Sequence, residues 1–172
     1  MLEALIFVVF PFCMLFAAIS DMLSMTIANR VSLILVGVFL VVAPLTGMAW
    51  TDFGWHLAAG AVVLSCTFCL FAIGAMGGGD AKLMAASAVW MGFGLCLVQY
   101  LLAASVIGGL LTMALLAYRN SPLAVFTRHN MFLRHFANEK AGIPYGIALG
   151  LGGLLTYPGS PLVLWALERL AS

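Results

Sequence analysis

The apolar positions of this chain run on instead of alternating. Uncharged, predominantly apolar stretches cover residues 4–20, 31–51, 57–79, 83–118 and 141–167. Each approaches or exceeds the ~20 residues that cross a hydrocarbon core as a helix. A membrane barrel would show short segments alternating between apolar and polar. Continuous Leu/Val/Ala/Phe runs instead call for helices, which satisfy their backbone groups within one segment. The stretch 83–118 is 36 residues long. As one helix it would extend about 54 Å, against a core of ~30 Å. It therefore divides in two, either at Met91-Gly92-Phe93-Gly94 or at Gln99-Tyr100. The pattern predicts an all-α, polytopic membrane protein with about six spans, near 4–20, 31–50, 57–76, 81–93, 96–118 and 145–167.

Composition agrees, since 65% of the 172 residues are hydrophobic and 8% are charged, far from the balance of a soluble domain. The first run carries Glu3 and no Lys or Arg ahead of it. It lacks the positive start of a secretory signal and reads as a first span. Formal net charge is +1 with scattered basic residues, which gives no nucleic-acid footprint. Cys13, Cys66, Cys69 and Cys96 lie inside apolar runs and read as small buried hydrophobes. Cys66 and Cys69 have C-x-x-C spacing, but a zinc site needs two further ligands and a polar approach.

Six spans alternate the connecting segments between two sides. Arg30, Lys82, Arg119, Arg128, Arg134 and Lys140 then share one side and Arg169 alone takes the other. By the excess of Lys and Arg on the cytoplasmic side, the loops after the first, third and fifth spans face the cytoplasm and the N-terminus faces out. Asp21 and Asp80 fall together at the cytoplasmic end. Asp52, with Trp50, Trp55 and His56, falls at the opposite interface and reads as part of an aromatic belt.

Ionisable groups in or beside spans are costly and are functional candidates by default. Asp21 alone would pass as an ordinary helix end in "SDMLSMTIANR". Asp80 is harder to dismiss. Gly77, Gly78 and Gly79 before it permit close approach of another backbone, and the acid opens a helix, where the dipole favours a carboxylate. A phosphate loop is not matched, because Lys82 is not followed by Ser or Thr. Two carboxylates brought together at a partly desolvated boundary would share a proton. One can then take a proton from water while its protonated partner polarises a peptide carbonyl, as in aspartic proteases, with no cofactor or metal.

Gly77-Gly78-Gly79-Asp80, read as G-x-G-D and followed by Ala81-Lys82-Leu83, resembles the signature of the type IV prepilin peptidases, membrane aspartic proteases of the wider G-x-G-D group. Asp21, eight residues before Asn29, resembles that family's D-x6-P-N stretch, with Ala28 where the family has proline. Ile143-Pro144-Tyr145-Gly146 resembles its I/V-P-[FY]-G opening of the last span. The likeness runs from about residue 4 to 157. It implies Asp21 and Asp80 as the catalytic acids, with Gly77, Gly79, Asn29, Lys82, Pro144, Tyr145 and Gly146 in support. It also implies a bacterial inner-membrane enzyme that removes the short leader of a prepilin or pseudopilin after a glycine, beside the pilus-assembly machinery. Long members insert a soluble zinc-binding domain after the first span. Only about ten residues stand there in this chain, so all of 1–172 reads as one membrane-embedded peptidase domain, similar to the short forms that serve Flp (tight-adherence) pili, the CpaA/TadV type.

Among the supporting residues, Lys82 reads either as a tuner of the acids and holder of the loop or as an interfacial anchor. Asn29 reads as a tie of the Asp21 loop to backbone. Residues 119–140, with Phe126, Phe132 and Phe136 among charges, read as an amphipathic segment on the membrane surface. Gly146-x-x-x-Gly150 and Ala104-x-x-x-Gly108 read as helix-packing spacings. The alternative from another class is an ion- or proton-conducting membrane transporter or scaffold in which Asp21 and Asp80 are intramembrane carboxylates.

Overall fold

The computed structural model describes residues 1–121 and 142–171. The described residues are helical, without strands: α1 Leu2–Ser24, α2 Asn29–Leu45, α3 Trp50–Ala72, α4 Gly78–Met91, α5 Leu95–Arg119, α6 Tyr145–Thr156, a 3-10 turn Tyr157–Gly159, and α7 Pro161–Ala171. Helices α1, α3 and α5 are each long and apolar enough to cross a membrane, while α2 is shorter and apolar. The 14 residues of α4 rise about 21 Å, less than a ~30 Å core.

The long run breaks at Gly92–Gly94, not at Gln99-Tyr100, because Gly92 adopts φ 65° and lets the chain turn where a side chain would be strained. Tyr100 instead lies buried inside α5. The last predicted span is not one straight helix. The segment Tyr145–Gly159 meets Pro161–Ala171 at 45°, since Pro161 has no N–H to continue the ladder. The expected surface segment lies, apart from Arg119, Asn120 and Ser121, outside the described residues.

Helix α4 is the centre of the bundle. It packs on α3 and α2, and α6 packs on α1 and α5. Its small residues allow this: Ala85, Ala86, Ser87 and Ala88 are consecutive and all buried, so neighbouring backbones approach closely, as membrane helices require when apolar burial against lipid gives little drive. Glycines do the same on α6. A Cβ on Gly150 would stand 2.8 Å from the Met14 carbonyl oxygen, and one on Gly152 2.9 Å from the Ala104 nitrogen. The small-residue spacings thus sit at helix contacts.

At one end the core is aromatic. Phe10 stacks on Tyr157 at 4.1 Å, and Phe10 and Phe39 both lie near 6 Å from Trp90, at 5.6 and 5.9 Å. Three donors in this cluster each find a backbone carbonyl. Trp90 Nε1 donates to Leu35, Tyr157 Oη to Ile6, and His56 Nδ1 to Val89. His56 is therefore a buried packing residue stacked on Phe39, not a member of an interfacial belt. Trp50 and Trp55 do remain exposed. The cysteines also divide: Cys13 and Cys96 are buried, but Cys66 and Cys69 face outward from α3, against the expectation that all four would be covered.

Candidate active site

Asp21 closes the inward face of α1. The buried residues of that helix are Ile6, Phe10, Cys13, Met14, Ala17 and Asp21, a stripe at helical spacing with a carboxylate in its last place. This corrects the reading of Asp21 as an ordinary helix end, since its exposure is 5%. Four residues on, α1 stops at Met25, which takes the left-handed conformation (φ 52°) and donates its N–H to the Asp21 carbonyl. Hydroxyls then hold the turn. Ser20 Oγ donates to the Thr26 carbonyl at 2.9 Å, and Ser24 Oγ reaches Thr26 Oγ1 at 2.8 Å. Ala28 has φ −66°, the angle a proline would fix, so the loop keeps its shape without the ring.

Asp80 arrives from the opposite direction. Helix α3 ends at Ala72, and just past it Gly74 takes φ 76° while the Ala75 N–H reaches back to the Leu70 carbonyl. Gly77, extended at φ −72° and ψ 143°, is the residue that caps α4, and Asp80 is the third residue of the helix. From that position a carboxylate folds back toward the cap, and Asp80 Oδ2 lies close against Gly77.

The three glycines do different things. A Cβ on Gly77 would be 2.7 Å from Asp80 Oδ2, one on Gly78 3.3 Å from the Phe71 ring, and one on Gly79 3.2 Å from Ile27 Cβ. Gly79 thus lets the loop after α1 lie directly against the start of α4, which carries the second acid.

The third segment of chain in the site begins at Gly142. Arg119, last residue of α5, donates from Nη2 to the Gly142 carbonyl at 3.1 Å. Pro144 is buried and precedes the first turn of α6. Tyr145 lies on Gly108, where a Cβ would come within 2.6 Å of its ring. Gly146 then donates its backbone N–H to Asp21 Oδ2 at 2.6 Å, and a Cβ on it would be 2.7 Å from Asp21 Cβ. Only glycine permits that approach.

These pieces enclose one cavity of about 650 Å³ bordered by Asp21, Asp80, Gly77, Tyr145, Met25 and Arg119. Asp80 is partly buried and within electrostatic reach of Asp21. Of the other residues singled out in the sequence, Lys82 and Asn29 stand behind this cavity and join each other: Lys82 Nζ donates to Asn29 Oδ1 at 2.9 Å. Asn29 is thus tied to a side chain in place of the expected backbone partner, and Lys82 joins the starts of α2 and α4. The sequence pattern assigns Arg119 to the charge balance and to the start of the amphipathic surface segment, and does not single out the Ser20, Ser24 and Thr26 hydroxyls. Their spacing around an acid at a helix end is the available signal. Among the described residues, no three His, Cys, Asp or Glu side chains gather as a metal site.

No curated protein and no solved structure matches the chain. A sequence profile of the type IV leader peptidase family matches residues 8–113. Both acids and all three glycines of the G-x-G-D stretch fall within it. The match takes in more than half of the 172 residues, and by it this multi-pass membrane chain belongs to the type IV leader peptidase family.

Proposed function

We propose that Asp21 and Asp80 are the catalytic pair of an aspartic endopeptidase that removes the short leader of a Flp-type prepilin or pseudopilin, cutting after a glycine at the cytoplasmic face of the bacterial inner membrane. Membership of the family makes the chain a leader peptidase acting on prepilins. The observation that carries the residue assignment is the shared cavity: two carboxylates from helices far apart in sequence open onto one space, each beside a glycine backbone.

The chemistry follows from that arrangement. With Oδ2 of Asp21 fixed by the Gly146 amide, Oδ1 is the oxygen left to take a proton from an attacking water. Asp80, protonated, donates to the scissile carbonyl oxygen. As the tetrahedral diol collapses, the proton on Asp21 goes to the leaving amine nitrogen and a diol hydroxyl returns its proton to Asp80, so the two carboxyl groups hold one proton before and after each turnover. The 172 residues act as one membrane-embedded peptidase domain, with six spans, the N-terminus outside, and both acids at the inner face.

Co-expression with a prepilin tests this. Leader removal, read as a mobility shift and by mass spectrometry, should stop in Asp21→Asn and in Asp80→Asn while both variants stay in the membrane. Full processing by either variant would remove the pair from the mechanism. Ion flux through reconstituted vesicles without any cleavage would return the acids to a transport role.

A further inference from the structure

A second opening lies behind the acids. It is a groove of about 450 Å³ between α2 and α3, floored by α4. Its floor is Lys82, Ala85, Ala86 and Val89, a stripe at helical spacing. At 100° per residue that stripe is turned roughly 180° from Asp80, so a peptide held at the acids does not continue into it. Leu33 and Leu64, on the walls, are exposed among other outward apolar residues of α2 and α3 such as Ile34 and Phe68. The groove therefore faces hydrocarbon. Among the described residues that line it, Asn29 and Lys82 make one end strongly polar and none is an acid. Lys82 has three donors, of which Asn29 takes one. The exposed Arg30 and the first turn of α2, the positive end of its dipole, stand at the same end.

We infer that this groove holds one anionic glycerophospholipid of the leaflet on the Asp80 side, its phosphate at Lys82 and an acyl chain along α4 toward Val89. Charge complementarity selects that occupant: a cationic mouth at headgroup depth above an apolar trough about 10 Å long suits an amphiphile with an anionic head. The lipid would brace the Lys82–Asn29 link, and through it the loop on which Gly79 rests. The inference does not rest on the peptidase assignment, because its readout is lipid retention.

Native mass spectrometry of the full-length protein, released from detergent with phosphatidylglycerol or phosphatidylcholine of identical chains, tests it. One phosphatidylglycerol per chain should be retained about fivefold better than phosphatidylcholine, the preference one lysine near a membrane surface provides. Lys82→Gln, which still reaches Asn29, should bring the two lipids level. Ala61→Trp, on the exposed wall of the groove, should expel both while helicity stays at the wild-type level. An unchanged preference in Lys82→Gln, or retention in Ala61→Trp, would overturn the inference. So would displacement of the lipid by soluble glycerophosphate, by a prepilin transmembrane peptide, or by a second copy of the chain.

Discussion

The same helices build two opposite kinds of place. Helix α1 gives Phe10 to one and Asp21 to the other, α4 gives Trp90 and Asp80, and the chain around α6 gives Tyr157 and Gly146. At the Trp90 end large rings fill the space and three donors in the cluster each end on a backbone carbonyl. At the Asp80 end the side chains have been removed: Gly77, Gly79 and Gly146 leave room for carboxylates and loops, and a cavity remains. The difference teaches where each task sits. Dispersion contacts lock the helices at one end, and the other is free to hold a strained, polar, open arrangement that would not be stable by itself.

The sharpest way to break that division is to change one atom at the polar end. Asp80→Asn keeps the shape and removes a titrating group, so processing of a prepilin should fall by at least about 10⁴-fold, as for other members of catalytic units. Unfolding in a detergent titration should be unchanged or harder, because an ionisable group has left a partly buried site. A loss of stability as large as the loss of activity would mean that Asp80 is structural. The converse change is Trp90→Ala. It removes a fully buried ring and its bond to Leu35, and should cost about 3–5 kcal/mol of stability. The fraction that remains folded should keep its KM.

Much of this division is legible in the amino-acid sequence alone. The apolar runs specify helices because a bilayer leaves the backbone few alternatives, and the glycines before Asp80 announce close approach. What the linear pattern does not carry are the partners. Asp21 looks like a helix end because its place on the buried stripe depends on which face of α1 turns inward. His56 looks interfacial because its neighbours Trp50 and Trp55 are, whereas its own position on α3 points to Val89. The outward turn of Cys66 and Cys69 is invisible for the same reason: in a helix apolar on all sides, sequence does not say which side meets lipid. Arg119 is hidden because its acceptor is a backbone carbonyl 23 residues away.

Gly146 is the point where the two designs touch, since α6 leads from it to Tyr157. Gly146→Ala places a methyl 2.7 Å from Asp21 Cβ. The overpacking should cost about 1–3 kcal/mol in stability, and the shift of the Gly146 amide should lower kcat by about 100-fold with KM little changed. A normal kcat would show that the 2.6 Å bond to Asp21 is incidental. Arg119→Ala acts one step further back. It frees the Gly142 carbonyl and loosens the approach to Gly146, so kcat should fall about tenfold, the value of one charged hydrogen bond. Arg119→Lys should recover part of it, a rescue that a purely bulky role would not show.

The smallest effect belongs to Lys82 and Asn29, and it locates the border between the two regions. Their bond is exposed, and exposed charged contacts contribute only about 0.2–1 kcal/mol. A double-mutant cycle of Lys82→Met and Asn29→Ala in zwitterionic detergent, read by unfolding, should give a coupling inside that range. The informative number is the same cycle read in kcat. If the link does no more than hold two helix starts together, the coupling in kcat should be no larger than the coupling in stability. A coupling in kcat well above it would mean that the loop braced by Ile27 on Gly79 transmits its position to Asp21, and the polar end would then reach one helix further than the cavity itself.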